Sequence, residues 1–343
     1  MDYVSAGVDI EAAAKAKEKI RRLARTTFTA DALGDIGGFG GLFRLDTDRY
    51  REPVLVASTD GVGTKLKIAF ATGRHDTVGY DLVSHCINDI LVQGARPLFF
   101  LDYLAMGKLV PDVVEAVVSG IVRCCREFGV TLIGGETAEM PDFYPPGEYD
   151  LAGTIVGVVE RQGIIDGTTL APGDVLLGLG STGLHTNGYS LARKIFFEKE
   201  GLTAGSPVAE LGASVAELLL APHRCYLPLM EPLLERRLVK AMAHITGGGL
   251  TDNIPRVLPP GTAARVRLGS WPLPPLFDYL RRKGSVSQAE MLRTFNVGIG
   301  MVVMVGREHQ KEVVELLSRN GETPVLAGEI VSGDGRVIYE GSL

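Results

Sequence analysis

Short apolar runs rich in β-branched residues alternate along this chain with stretches whose apolar residues recur every three or four positions. The runs are typical of buried strands, and the periodic stretches are typical of helices that bury one face. In the first half we predict strands from residue 54 and at 97–105, 130–133 and 150–161, and helices at 11–25, 76–93 and 111–128. This alternation predicts an α/β fold.

The second half repeats the alternation after a stretch rich in glycine and polar residues at 162–172. We predict strands at 174–180, before the glycines at 247–249, and at 297–305, 325–331 and 337–339, and helices after residue 187 and at 271–281 and 307–320. A chain of 343 residues is long enough for two cores. We therefore predict two domains, 1–165 and 166–343, with the boundary in the glycine-rich stretch.

The strand that begins at Val54 runs directly into polar residues, namely Thr59, Asp60, two glycines and Lys65. Glycine lets the backbone approach a bulky anion, an aspartate can hold a divalent cation, and a lysine can neutralise phosphate charge. A tight β-turn with an exposed lysine explains the same residues, so the motif alone leaves both interpretations open.

Five glycines lie between residues 34 and 41, separated by apolar residues. Successive backbone N–H groups in such a loop can surround phosphate oxygens. The loop lacks the Gly-Lys-Ser/Thr ending of a Walker A motif, and it precedes the first strand where a Rossmann loop would follow it. A phosphate-binding loop and a flexible surface turn both remain possible interpretations.

Two further acids occupy positions where a carboxylate needs a partner. Asp89 lies on or beside the apolar stripe of its predicted helix, one turn from His85, and Glu136 follows Gly134 and Gly135 after the strand 130–133. Mg²⁺ takes few protein carboxylates and fills its octahedron with water and phosphate oxygens. Asp60, Asp89 and Glu136 therefore predict a magnesium–nucleotide site, with three unrelated turns or caps as the alternative.

The second half contains two more turns of the strand, glycine loop and helix type. One carries His185 and Asn187, and the other carries Thr246 followed by three glycines. Each is a possible anion site at a helix start, and together they suggest a second phosphate-bearing ligand. A hydrogen-bonded structural histidine is the alternative interpretation of His185 and His244.

Charge, hydropathy and cysteine content restrict the classes of function that remain possible. The net charge is −6 and the basic residues are scattered, so a nucleic-acid partner is not indicated. No run approaches the about 20 apolar residues of a membrane helix, and the amino terminus lacks a signal pattern, so we predict a cytoplasmic protein. The four cysteines lack zinc-like spacing and are predicted to be reduced packing residues.

Seven motifs, taken in order over nearly the whole chain, resemble those of phosphoribosylformylglycinamidine cyclo-ligases, also called aminoimidazole ribonucleotide synthetases. They are AGVDI at 6–10, IGGFG at 36–40, TDGVGTK at 59–65, ND at 88–89, GGETAEMP at 134–141, HTNGYSL at 185–191 and HITGGG at 244–249. The resemblance implies ATP-dependent ring closure of formylglycinamidine ribonucleotide to aminoimidazole ribonucleotide in purine biosynthesis, with release of ADP and phosphate. It also implies ATP as co-substrate, Mg²⁺ as cofactor, and a homodimer.

The same resemblance implies a fold and a set of site residues. The amino-terminal α/β domain would bind ATP and form a dimeric, β-barrel-like interface, and the carboxy-terminal α/β domain, with a mixed sheet, would complete the substrate cleft. Arg21 stands where a lysine is typical of the family, and arginine stays protonated, which removes a general base from that position. The implied residues are Asp60, Asp89 and Glu136 for the metal; Gly37, Gly38, Gly40, Gly41, Thr59, Asp60, Asp89, Gly134 and Gly135 for ATP; Lys65, His185 and Asn187 for catalysis; and Thr246, Gly247, Gly248 and Gly249 for the substrate phosphate.

Other members of the same superfamily are alternative interpretations of these motifs. Selenophosphate synthetase would need a reactive cysteine near the glycine loop, and no cysteine precedes Cys86. The hydrogenase maturation relative would carry a cysteine in its tail, while thiamine monophosphate kinase and formylglycinamidine synthase share the magnesium–phosphate chemistry with different motifs. A non-catalytic module that senses a nucleotide is the alternative from another functional class.

Overall fold

The computed structural model describes residues 10–343, with side chains described from residue 14 onward, and it divides into two compact units. Unit 1 comprises the described residues up to Ile90 and residues 95–161. Unit 2 comprises Leu91–Gly94 and Gln162–Leu343. Most of the motif at 6–10 lies outside the described residues.

Unit 1 combines four strands with helices on one face of their sheet. Its helices are α1 (Ile10–Arg25), α2 (Leu66–Thr72), α3 (Val78–Leu91, whose last residue belongs to unit 2) and α4 (Pro111–Glu127). Its strands are β1 (Pro53–Gly61), β2 (Arg96–Met106), β3 (Thr131–Glu139) and β4 (Tyr149–Glu160). Pro111 occupies the first turn of α4, where its missing N–H costs nothing.

The four strands form an open sheet in the order β1-β4-β2-β3, in which only the β2–β3 pair is parallel. One face packs on α3 and α4 through buried residues such as Phe100 and Ile155. Two helix glycines let α3 and α4 approach closely: a Cβ on Gly120 would lie 2.5 Å from the carbonyl oxygen of Asp76, and Gly79 is equally crowded by α4. The opposite face of the sheet remains partly exposed.

Unit 2 is built on a six-stranded sheet in the order β12-β9-β11-β5-β10-β8, together with a two-stranded ribbon. Its strands are β5 (Val175–Gly180), β6 (Pro207–Val208), β7 (Ala213–Ser214), β8 (Val239–His244), β9 (Thr262–Arg267), β10 (Ile299–Val305), β11 (Val325–Ser332) and β12 (Val337–Glu340). Its α-helices are α5 (Tyr189–Arg193), α6 (Val215–Leu219), α7 (Leu227–Glu235), α8 (Gly249–Asn253), α9 (Pro275–Gly284), α10 (Gln288–Thr294) and α11 (Gln310–Arg319). The β9–β12 pair is parallel and the other pairs are antiparallel, so the predicted mixed sheet is confirmed.

The structure confirms the predicted α/β class but moves two of the predicted turns into strands. β1 continues through Asp60 to Gly61, and β3 continues from the predicted strand through Gly134, Gly135 and Glu136 to Glu139. Glycines and polar residues lower strand propensity and are typical of turns, so the pattern alone predicts turns at these positions. The pairing of β3 with the long strand β2 outweighs that propensity.

Two predictions about the chain as a whole can be compared with the structure. The four cysteines are free and buried, as predicted. Among the described residues, no helix combines the length and the hydropathy that crossing a bilayer requires.

Candidate functional site

Asp60 and Asp89 meet in unit 1 at the side chain of His85. Asp60 comes from β1, whereas His85 and Asp89 lie one turn apart on α3. His85 Nε2 lies 2.7 Å from Asp60 Oδ2 and 3.5 Å from Asp89 Oδ2. Ser58 Oγ, also on β1, donates to the same Asp89 oxygen at 3.1 Å. Strand β1 and helix α3 thus bring together two carboxylates that are 29 positions apart in the sequence, as the magnesium-site prediction requires.

The charges in this cluster favour a protonated His85 and an ionised Asp60. Burial by itself lowers the pKa of His85, but the hydrogen bond to Asp60 and the charges of Asp89, Asp60 and Asp81 raise it overall. Burial by itself raises the pKa of Asp60, and the hydrogen bond from His85 lowers it overall. Carboxylate oxygens are the ligand type that Mg²⁺ prefers, and two of them converge here, so Asp60 and Asp89 fit a magnesium ion.

Lys65 does not face this cluster with an exposed ammonium group. It ends a short 3₁₀ turn before α2, is fully buried, and forms a 2.7 Å ion pair with the equally buried Asp81 of α3. Burial lowers the pKa of Lys65, and the charge of Asp81 opposes that change. The motif therefore placed a lysine in the core, where its ammonium is paired with a carboxylate instead of being presented to a phosphate.

Glu136 and Thr59 lie on the face of the sheet opposite to Asp60. Residues directly across from each other in a sheet share a face, and neighbours along a strand alternate. Asp60 pairs with Gly153 on β4, Gly153 pairs with Asp102 on β2, and Asp102 pairs with Gly135 on β3. These four residues therefore share one face of the sheet. Glu136 is one position beyond Gly135, so this chain does not bring it to Asp60 and Asp89. Thr59 likewise turns away and shares a 2.7 Å hydrogen bond with Thr154.

The strand register reveals an acid that the motifs did not indicate, Asp102. Its carboxylate lies beside the Cα of Gly135, on the helix face of the sheet, where a Cβ on Gly135 would clash with it. Burial, with a smaller effect from the charge of Glu136, raises the pKa of Asp102 to about 7. The available signal was a single acid within the otherwise apolar strand predicted at 97–105, away from any turn.

The glycine loop at 34–41 is tied to α1 and to β3. Arg21 Nε donates to the carbonyl oxygen of Ile36 at 3.0 Å, and Arg25 forms an ion pair with Asp35 that lowers the pKa of that carboxyl group to about 2. Gly37 has φ +112, and a Cβ there would lie 2.6 Å from the Arg21 guanidinium. At the other end, a Cβ on Gly41 would lie 2.5 Å from Ile133. The basic side of α1 therefore holds the loop.

In unit 2 the structure brings the two predicted glycine turns together. Asn187 Oδ1 lies 3.2 Å from where a Cβ on Gly247 would stand. Asn253 Nδ2 contacts the carbonyl oxygens of Thr246, Gly247 and Gly249 at 3.3, 3.1 and 2.8 Å, which fixes the shape of that loop. Helices α5 and α8 have five residues each, so an anion here would depend on backbone N–H groups more than on a macrodipole.

His185 is buried at the base of these turns, in a cluster with His223 and His244. Its Nε2 accepts from the backbone N–H of Thr182 at 3.2 Å, and its ring stacks on His223 with centroids 4.1 Å apart and planes 21° apart. His223 Nε2 lies 3.1 Å from His244 Nε2. The three nitrogens are close enough for a metal ion. However, a metal lies in the plane of each imidazole that binds it, and stacked rings cannot both point at one ion. The geometry fits a hydrogen-bonded structural cluster, and no motif had indicated His223.

Two family models match this chain. The model described as AIR synthase related protein, N-terminal domain, matches residues 43–159, and the model described as AIR synthase related protein, C-terminal domain, matches residues 171–340. A phosphoribosylformylglycinamidine cyclo-ligase of Geobacter sulfurreducens is 56% identical over 328 residues, which are 96% of this chain and 94% of that protein. The cyclo-ligase of Brevibacillus brevis is 50% identical over 339 residues, or 99% of this chain and 98% of that protein.

Solved structures of more distant proteins show the same fold. A thiamine-monophosphate kinase from Stenotrophomonas maltophilia superposes with a TM-score of 0.71 at 21% identity, covering 96% of each chain. The hydrogenase maturation protein HypE, in complex with ATP, gives a TM-score of 0.64 at 18% identity, covering 93% of this chain and 88% of that one. At these identities the likeness concerns the fold.

Proposed function

The chain belongs to the phosphoribosylformylglycinamidine cyclo-ligase family, and from this premise we propose that it closes the imidazole ring of aminoimidazole ribonucleotide at the expense of ATP. The observation that carries the proposal is the similarity to cyclo-ligases at 50–56% identity over almost the full length of both chains. The convergence of Asp60 and Asp89 supports it, because phosphoryl transfer from ATP needs a cation held by carboxylates.

The reaction consumes formylglycinamidine ribonucleotide and ATP. The formyl amide oxygen attacks the γ-phosphorus and ADP leaves. The amidine nitrogen then attacks the activated carbon, and the C–O bond breaks with release of phosphate. Magnesium held by Asp60 and Asp89 would neutralise charge on the transferring phosphoryl group. The enzyme's own contribution is chiefly to position the two reactants and to offer donors where charge develops.

We assign roles to the remaining site residues from the hydrogen-bonding groups that each can offer to a ligand. The backbone N–H groups between Gly37 and Gly41 would bind ATP phosphates. The loop Thr246–Gly249 and the amide of Asn187 would bind the ribonucleotide, and His185 would fix the turn that carries Asn187. Lys65 receives a structural role through Asp81, and Glu136 is left out of the metal site because it lies on the other face of the sheet.

A coupled assay tests this function. Purified protein with Mg²⁺, ATP and formylglycinamidine ribonucleotide should release ADP and form aminoimidazole ribonucleotide, with a turnover on the order of 1–10³ s⁻¹. A nucleotide sensor would bind ATP without releasing ADP, and a kinase of the same fold would give a stable phosphorylated product. Either of those results would refute the cyclo-ligase activity.

We also propose a cytoplasmic homodimer that forms through the exposed face of the unit 1 sheet. Large apolar side chains remain open there: Leu55 is 60% exposed and Tyr103 is 40% exposed, while Phe99 and Val156 are half-buried. A contiguous apolar patch of this kind marks an interaction surface, and a second copy can cover it with the same patch. The partner subunit would then cover the exposed face of the unit 1 sheet.

We expect Leu55→Lys to convert the dimer to a monomer, because a lysine ammonium would be buried without a partner at the two-fold interface. Light scattering coupled to size-exclusion chromatography would report the mass. The control is Ile338→Lys on β12, which removes an apolar residue of 44% exposure from unit 2 and should leave the dimer intact. A wild-type monomer at micromolar concentration, or a dimeric Leu55→Lys variant, would rule out this interface.

A further inference from the structure

His85 lies behind the two carboxylates of the proposed metal site and not beside them. The side chain of His85 is 5% exposed, whereas those of Asp60 and Asp89 are 44% and 24% exposed. The acids thus keep exposed surface that a nucleotide can approach, and the imidazole that contacts both of them is the buried member of the cluster. This order, from solvent inward, is the order of a metal ligand and the group that orients it.

The contacts of Asp60 show how its orientation is fixed. Oδ1 accepts from the backbone N–H of Gly61 at 2.7 Å, and Oδ2 accepts from His85 Nε2 at 2.7 Å. Each carboxylate oxygen has two lone pairs, so one donor on each oxygen leaves room for a cation. Without the imidazole donor, Asp60 Oδ2 would lose its hydrogen bond, and only the Gly61 N–H contact on Oδ1 would restrain rotation of the carboxylate about χ2.

Asp89 is held in a comparable way by the neighbouring strand. Ser58 Oγ donates to Asp89 Oδ2, and His85 Nε2 lies 3.5 Å from the same atom. One imidazole nitrogen is therefore within reach of an oxygen from each acid. Together with the Ser58 hydrogen bond, it sets the spacing between the acid on β1 and the acid on α3, and it is the group that contacts both acids.

We infer that His85 is a positioning residue for the magnesium–ATP site, acting through the Nε2–H donor that fixes Asp60 against Asp89. The inference rests on the proposed use of Mg²⁺ and ATP, and it deepens that proposal by assigning the second layer of the site. Groups in this layer affect metal affinity about 10–100-fold when removed.

Two isosteric amides test which atom of His85 matters. The amide nitrogen of glutamine lies about as far from Cα as Nε2, and that of asparagine about as far as Nδ1. We expect His85→Gln to retain the Mg²⁺ dependence of ATP binding within a few-fold, and His85→Asn to need about 10–100-fold more Mg²⁺. Calorimetric titration of ATP at several Mg²⁺ concentrations measures this without the ribonucleotide. The control is His75→Gln, which removes a half-buried unit 1 histidine that contacts Tyr149.

The outcomes separate this inference from the proposed function. If the wild-type protein shows no ring-closing activity but His85→Asn alone loses Mg²⁺ affinity, the proposed function is refuted and the inference about His85 stands. Equal Mg²⁺ dependence in both variants overturns the inference, whether both match the wild type or both are weakened, and so does ATP binding that never depends on Mg²⁺. Thermal unfolding checks that each variant folds. If His85→Asn does not fold, His85→Met supplies the donor-free state. If His85→Met does not fold either, His85→Gln is the deciding variant. A ten-fold higher Mg²⁺ requirement for ATP binding in His85→Gln would overturn the inference.

Discussion

Replacing Asp60 by asparagine should abolish magnesium-dependent ATP binding and lower turnover of formylglycinamidine ribonucleotide by about 100-fold or more. The substitution removes a negative charge from the point where β1 meets α3 while keeping the size of the side chain. Its amide oxygen can still accept from the Gly61 N–H, a contact of 2.7 Å in the present structure. We therefore expect loss of metal affinity in a folded protein, measured by calorimetry with Mg²⁺ and ATP and by the coupled assay.

The matched control for this variant is Asp150→Asn. Asp150 is exposed on β4, and its Oδ1 accepts from the N–H of the next residue, Leu151, at 2.9 Å, the same local contact that Asp60 makes. Among the described residues it forms no ion pair, so its replacement should leave ATP binding and turnover unchanged. Normal turnover in Asp60→Asn would remove Asp60 from the metal site, and equal losses in both variants would point to a general effect of the substitution.

Lys65→Met should destabilise the protein by about 3–5 kcal/mol, because it leaves the buried carboxylate of Asp81 without its ammonium partner. The double variant Lys65→Met, Asp81→Leu should recover most of this loss, since apolar residues of similar volume can replace a buried ion pair. Urea unfolding of the single and double variants, followed by circular dichroism, measures the change in the free energy of unfolding.

Arg236→Met provides the comparison on the surface. Arg236 and Glu312 form an ion pair of 3.0 Å with both side chains about half exposed. Its loss should cost no more than about 1 kcal/mol. A Lys65→Met variant as stable as the wild type but with impaired turnover would restore Lys65 to the catalytic residues, against the structural role given to it here.

Several elements of the fold could be predicted because their hydrophobic periods are long and uninterrupted, whereas α7 and β9 were missed. The helix expected at 111–128 is found at Pro111–Glu127, and the strand expected at 97–105 is found at Arg96–Met106. In both cases the pattern is continuous and a proline or glycine marks the ends. The nearness of Asp60 and Asp89 was also predicted, since Asp60 ends an apolar strand and Asp89 lies on or beside the apolar stripe of a helix, where a carboxylate needs a partner.

The predictions that the structure contradicts concern the direction in which side chains point, which a sequence motif does not specify. Glu136 and Gly135 are neighbours in sequence, yet the pleat of β3 sends them to opposite faces of the sheet. Lys65 follows a glycine turn that suggests exposure, but the 3₁₀ turn directs its side chain into the core toward Asp81. Both outcomes depend on which strand or helix becomes the neighbour, and that information is spread over distant parts of the chain.

The short segment Leu91–Gly94 has a consequence for the order in which the chain folds. It comprises the last residue of α3 and the three residues after it, and it belongs to unit 2, where the backbone N–H of Ile165 donates to the carbonyl oxygen of Gln93 at 3.1 Å. During synthesis, which adds about 5–20 residues per second, this segment leaves the ribosome well before residues 162–343 exist. Unit 1 can complete its sheet once β4 has been made, while these four residues wait for their partners. We therefore expect the end of the helix that carries His85 and Asp89 to become fixed late among the parts of the first half.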